Sequence, residues 1–256
     1  MKRVIVVANW KCNPVTLAEA KRLFAAVKKG MEKIRVRGAE IIICPPFVYI
    51  SSFKSQASSF KVGAQNCFWQ ESGAFTGEVS PVMLKNAGCK YVIIGHSERR
   101  RYFGETNEVI NKKLRVAMDA GLRPILSVGE TEEEKELGDA AAVLVAQLKE
   151  GLTGFGRKEL KKIIVAYEPV WAIGNGNACG ADEAMSAGVL IKRTLGELAG
   201  KKIGHNIPIL YGGSVMPQNA AIYIEEAGFQ GLLVGGASLD PKPFVQIVRA
   251  VRAGRH

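Results

Sequence analysis

VIVVANWKCNPVTLAEAKRLFAAVKKGM, residues 4–31, holds one complete structural unit. Residues 4–8 are a nearly continuous apolar run, the pattern of a strand buried on both faces. The run gives way to Asn9, Trp10, Lys11, Cys12 and Asn13. Thr16 and, three residues on, Glu19 form a capping box, and Leu17, Ala20, Phe24, Val27 and Met31 then recur at helical spacing. The unit reads as strand, polar loop, amphipathic helix. An open doubly wound sheet more often has a GxGxxG fingerprint after its first strand, whereas this chain has ANWKCN there.

The unit repeats. Strands are predicted over 39–44, 61–65, 91–94, 124–128, 163–167, 207–211 and 231–234, with helical patterns between them. The segment 107–120 places Ile110, Leu114 and Ala117 on one face, and 140–150 presents Val143, Val145 and Leu148. Ser80-Pro81 is a helix start, and Gly121 a helix stop. Alternating strands and helices require a mainly parallel sheet with the helices outside. Eight units in 256 residues, with no Pro/Ser-rich linker, predict an α/β chain forming one (β/α)8 barrel domain over 1–256: a parallel eight-stranded closed sheet with outer helices.

Hydrophobic residues make up 47% and charged residues 23%, an ordinary globular balance. The cysteines at 12, 44, 67, 89 and 179 form no CxxC and no secreted pattern, which predicts reduced thiols and a cytoplasmic location. The N-terminal residues read as a strand and not as a signal peptide, and no apolar run is long enough for a membrane span. A net charge of +11 suits a nucleic acid, an acidic surface or a phosphorylated metabolite. Most basic residues are spread along helical segments. The densest cluster, SERRR at 97–101, lacks the zinc-finger or RNP patterns of nucleic-acid binders.

In a barrel, the loops after the strands share one mouth. The strand ends bring Asn9 and Lys11, His96, and Glu168 to that rim. A cation, a neutral hydrogen-bond donor and a carboxylate are the set needed to remove a proton beside a carbonyl and stabilise an enediolate. After Glu168, Pro169 stiffens the backbone, and glycines at 174, 176 and 180 mark a loop able to close. Gly212-Gly213-Ser214 and Gly235-Gly236, after strands seven and eight, suit an anion, because backbone N–H groups can approach a phosphate there. The implied ligand is a small phosphorylated carbonyl compound. With three histidines, none at ligand spacing, no metal or other cofactor is predicted.

NWKCN at 9–13, GAQN at 63–66, GAFTGE at 73–78, GHSERR at 95–100, AYEPVWAIG at 166–174, YGGSV at 211–215 and LVGGASL at 233–239 together resemble the triosephosphate isomerase family over essentially the whole chain. The resemblance implies interconversion of dihydroxyacetone phosphate and D-glyceraldehyde 3-phosphate. It casts Glu168 as base, His96 as neutral electrophile, and Lys11 and Asn9 as groups that meet the developing oxyanion. Glu98 becomes a buried acid that organises charge. Backbone N–H groups of Gly174, Ser214, Gly235 and Gly236 would grip phosphate. Pro169, Val170 and Trp171 would be one lid hinge, and Asn177, Ala178 and Cys179 the other. Ile173 and Leu233 would clamp Glu168, with Tyr211 beside the lid. GAFTGE, with Phe75 and Thr76 at its tip and Phe68 and Trp69 as exposed aromatics at its base, would enter a partner subunit near Cys12 and Gln65. A homodimer is implied, with a tetramer as the alternative.

Three positions depart from the family's usual pattern: Cys12, the hinge triplet at 177–179, and Ser127, whose hydroxyl at a buried position needs a partner. Two rival readings stay open at this point. A sugar-phosphate epimerase or a Schiff-base lyase would share the barrel, although Lys90, Lys161 and Lys162 precede their strands and so lie on the wrong rim for a lyase. A basic, non-enzymatic binding protein would share the charge.

Overall fold

Eight parallel strands close on themselves in chain order: β1 (Val4–Asn9), β2 (Ala39–Cys44), β3 (Lys61–Ala64), β4 (Tyr91–Ile94), β5 (Arg123–Val128), β6 (Ile164–Tyr167), β7 (Ile209–Tyr211) and β8 (Gly231–Val234). β8 returns to β1 in the register Ile5↔Gly231 to Ala8↔Val234, which leaves no sheet edge. The computed structural model describes residues 3–34, 38–56, 60–173 and 178–253.

The helices are α1 (Leu17–Lys33), α2 (Pro81–Asn86), α3 (Ser97–Phe103), α4 (Asn107–Asp119), α5 (Glu132–Glu136), α6 (Ala140–Gly151), α7 (Arg157–Leu160), α8 (Ala181–Ala199), α9 (Lys201–Gly204), α10 (Ala220–Glu225) and α11 (Pro241–Ala253). Both arms of the Thr16–Glu19 capping box form, and Ser80 caps α2 with Pro81 in its first turn. The segment after β2, Phe47–Gln56, is a 3-10 helix.

Strand parity divides the core in two. In β1, Ile5 and Val7 point into the barrel with Ile42, Ile93, Ile125, Ile164 and Leu210. Val4, Val6 and Ala8 point outward against Phe24, Val27 and Met31 of α1. The same alternation carries Asn9 and Glu168 to the inner face, one step beyond the last apolar layer. Gly129 lies against the backbone beside Glu168. A Cβ there would stand 1.7 Å from the Glu168 carbonyl oxygen, so only glycine allows β5 and β6 to approach so closely.

Some expected faces shift. On α6 the buried residues are Leu144, Gln147, Leu148 and Gly151, with Val143 and Val145 only half-buried. Gln147 earns its burial by exchanging hydrogen bonds with the N–H and carbonyl of Gly129, at 2.8 and 3.0 Å. Leu17 opens α1 on an exposed first turn. Phe68 is buried and Trp69 half-buried, because the Phe68 ring contacts both Trp69, at 4.1 Å, and Phe75, at 4.7 Å.

Ser127 is buried inside the barrel, and its Oγ has no hydrogen-bond partner among the described residues. Ser127→Ala is therefore expected to stabilise the protein by about 1 kcal/mol in urea unfolding, since an unsatisfied hydroxyl leaves the core. A destabilised variant would mean the hydroxyl is satisfied in solution.

Candidate active site

The strand ends bring the four expected groups together. Lys11 follows β1 with φ +52°, a left-handed conformation that costs a lysine about 1 kcal/mol and is retained where surrounding bonds over-determine it. Those bonds are visible. Its N–H donates to Asn9 Oδ1 at 3.1 Å, and its carbonyl accepts from Gln65 Nε2 at 2.9 Å. The Lys11 ammonium reaches Glu98 Oε1 at 2.5 Å.

His96 caps α3. Gly95 turns the chain at φ +76°, a conformation suited to glycine, and delivers the imidazole to the rim. Nδ1 accepts the Glu98 N–H at 3.2 Å. A ring nitrogen that accepts an N–H carries no proton, so this arrangement is that of a neutral imidazole with its proton on Nε2. Nε2 lies 3.8 Å from Glu168 Oε1.

Glu168 is 1% exposed. Its Oε2 accepts the Ser97 N–H at 2.9 Å, while Oε1 has no hydrogen-bond partner among the described residues. One oxygen is thus anchored at the start of α3 and the other is unpaired among the described residues. Beside it lies a cavity of about 180 Å³, walled by Asn9, Lys11 and His96, by Ile173 and Leu233, and by the backbone of Gly212–Met216 and Gly235–Ala237. That volume suits a ligand much smaller than a nucleotide.

Glu98 departs from expectation. Its side chain is 40% exposed, because it stands on the open rim between Lys11 and His96. It pairs with Lys11, and its Oε2 lies 3.7 Å from His96 Nδ1, beyond hydrogen-bond reach. The Ser214 N–H, expected to meet phosphate, donates to the Ala172 carbonyl at 3.2 Å. Gly174 and Asn177 lie outside the described residues.

Where the first hinge was expected, at Pro169, Val170 and Trp171, Pro169 leads into a 3-10 turn over Val170–Ala172. Sequence reading overlooked its main support, Glu130, which lies hidden in the acidic run GETEEE. Glu130 is buried at the end of β5, and its Oε1 accepts from Trp171 Nε1 at 2.7 Å and from the Tyr167 hydroxyl at 3.0 Å. Burial raises its pKa despite these donors. Lys135 lies over the Trp171 ring at 3.3 Å and pairs with Glu183 of α8 at 2.7 Å. In the second hinge, Cys179 is buried, and burial pushes its thiol up to about 12. Its carbonyl accepts the Tyr223 hydroxyl at 2.9 Å, so this cysteine serves as a small packed hydrophobe and not as a reactive thiol. The buried Tyr211 ring stacks on Tyr223 at 3.6 Å.

The SERRR cluster is largely spent inside the fold. Arg99 pairs with Glu105, which also pairs with the buried Lys113, and Arg100 bonds the Gly95 carbonyl and Asn107 Oδ1 at 2.9 and 2.6 Å.

Gln65 was expected only near a subunit contact. Its Nε2 ties the Lys11 carbonyl to the Cys44 carbonyl within the chain, at 2.9 and 2.8 Å. Gln65→Leu leaves both carbonyls without that donor and frees the strained Lys11 backbone. We expect kcat/KM to fall about tenfold, with a rise in KM, because the ammonium loses its fixed position. Unchanged steady-state constants would show that Lys11 is held without Gln65.

A model of the family described as triosephosphate isomerase matches residues 4–251. A triosephosphate isomerase of Dehalococcoides mccartyi is 50% identical over 260 aligned residues, covering 100% of both chains. One from Dictyoglomus thermophilum is 46% identical, covering 98% of this chain and 100% of its own. One from Moorella thermoacetica is 46% identical, covering 97% and 98%. Since these matches run the length of a closed eightfold barrel with Lys11, His96 and Glu168 at one mouth, the chain belongs to the triosephosphate isomerase family.

Proposed function

We propose that this chain interconverts dihydroxyacetone phosphate and D-glyceraldehyde 3-phosphate through an enediolate, with Glu168 as the base. The observation that carries this assignment is the buried carboxylate with one oxygen free, 3.8 Å from His96 Nε2 and beside a small cavity walled by Lys11. Glu168 removes a proton from C1 of the ketone, and the electron pair forms the C1–C2 double bond as the carbonyl oxygen becomes anionic. The Lys11 ammonium and the His96 Nε2–H stabilise that oxygen. His96 relays the hydroxyl proton from O1 to O2, and Glu168 returns its proton to C2, leaving an aldehyde at C1.

The phosphate is held by backbone N–H groups of Gly174, Ser214, Gly235 and Gly236. Ile173 and Leu233 cover the carboxylate and exclude water. A coupled assay with purified protein tests this reading: turnover of both trioses supports it, and no turnover of either refutes it.

The working unit is a homodimer. Large apolar side chains stand exposed in the first four β/α units, among them Val15 at 80%, Val48 at 78% and Phe103 at 67%, and Phe75 and Thr76 are exposed at the tip of the third loop. Cys12, also exposed, lies in the loop this contact would cover. Sedimentation velocity is expected to give twice the chain mass; a monomer or a tetramer overturns that assignment. Among the described residues no helix is long and apolar enough to cross a membrane, and the five thiols are free, as suits a cytoplasmic enzyme.

A further inference from the structure

We propose that the cavity at the N-terminal end of the barrel, opposite the active site, binds an organic polyphosphate of the nucleoside diphosphate type. This cavity measures about 1260 Å³ and is built where strands begin: Arg3 precedes β1, Glu40 lies in β2, Arg123 opens β5, Lys161 precedes β6 and Gln230 precedes β8. It is independent of the isomerase machinery, which occupies the other ends of the same strands.

Its charge is strongly unbalanced. Six Lys and Arg line it (Arg3, Arg123, Lys161, Lys192, Arg193 and Lys201) against the acids Glu40, Glu197 and Glu226. Two of the three acids are already engaged. Glu40 accepts the Tyr91 hydroxyl at 2.6 Å, and Glu197 pairs with Arg193 at 3.4 Å and Lys149 at 3.6 Å. Arg3, Lys161 and Lys201 have no ion pair among the described residues. Lys192 is fixed at the wall, its ammonium donating to the carbonyls of His205 and Ile207 and to Gln230 Oε1. A concave wall with this excess of positive charge concentrates a polyanion.

The remaining lining is apolar. Met185 and Val189 on α8 are exposed at 42% and 63% and line the cavity together with Ile5, Ile209 and Phe229. Exposed apolar side chains beside unpaired cations fit a ligand with a flat apolar body and several negative charges. The volume is large enough for a nucleotide, whereas the 180 Å³ catalytic cavity is not.

Isothermal titration with ADP at low ionic strength, with dihydroxyacetone phosphate saturating the catalytic site, tests the proposal. One ADP is expected per chain, with affinity falling as salt rises. Lys161→Glu combined with Lys201→Glu should weaken binding about tenfold or more while leaving isomerase activity intact, which also certifies the fold. Val189→Asn, which removes apolar contact without adding charge, should weaken ADP and leave inorganic tripolyphosphate unchanged, so the two probes diverge. Absence of ADP binding, equal binding by the lysine variant, or displacement of ADP by the triose would overturn the site. Tripolyphosphate binding as tightly as ADP would overturn the organic character of the ligand.

Discussion

Glu168→Asp is expected to keep the barrel and lose kcat by about a hundredfold or more, because a displacement of roughly 1 Å at a reacting group is worth about that much. The backbone here has no freedom to compensate. Glu168 N–H is fixed to the Val128 carbonyl at 2.8 Å, and Gly129 touches the Glu168 carbonyl side of the strand. A carboxylate one methylene shorter therefore stands further from the substrate carbon and from the Ser97 N–H together. KM should change little, since the phosphate grip lies elsewhere. Glu168→Gln removes the base itself, and a further loss, in all about 10² to 10⁴-fold or more, is expected. Coupled kinetics on both variants would check this, and wild-type kcat in either one would remove Glu168 from the mechanism.

Lys11→Met should be nearly as damaging, by a different route. The ammonium is the one cation lining the catalytic cavity among the described residues, and removing an oxyanion partner costs about 10² to 10³ in kcat. The change also leaves Glu98 without its 2.5 Å partner, an unbalanced negative charge at the cavity rim. Both kcat and KM should therefore worsen, with KM rising because the substrate loses an attractive charge. Adding Glu98→Gln should restore part of kcat by removing the unbalanced charge. If Lys11→Met alters neither constant, the ammonium does not contact the substrate.

The barrel was legible because its period is written in every unit: apolar runs that end in polar residues, then capped helices such as that begun by Thr16 and Glu19. The strands at 39–44, 91–94 and 231–234 have the boundaries expected of them. Short helices such as α5, α7 and α9 were not legible, since four or five residues carry too little periodicity to separate from loop. Lys11, His96 and Glu168 could be singled out because each lies within two residues of the end of an apolar strand. Glu130 could not, because it is one of four glutamates in GETEEE and only burial distinguishes it. Gln65 was placed near a subunit contact by the family resemblance, and its bonds to the Lys11 and Cys44 carbonyls were not legible, because they depend on the side-by-side placement of β1, β2 and β3. The exposure of Glu98 was misjudged because sequence does not show which side of a rim stays open.

The central claim is that one carboxylate moves one proton between neighbouring carbons. Proton NMR of dihydroxyacetone phosphate incubated with the enzyme in deuterium oxide tests it directly. The wild-type protein should place a single deuterium on C1 of the ketone, and Glu168→Gln should place none on the same timescale. Rapid exchange by Glu168→Gln, or isomerisation by the wild type with no deuterium entering either triose even as turnovers accumulate, would contradict it.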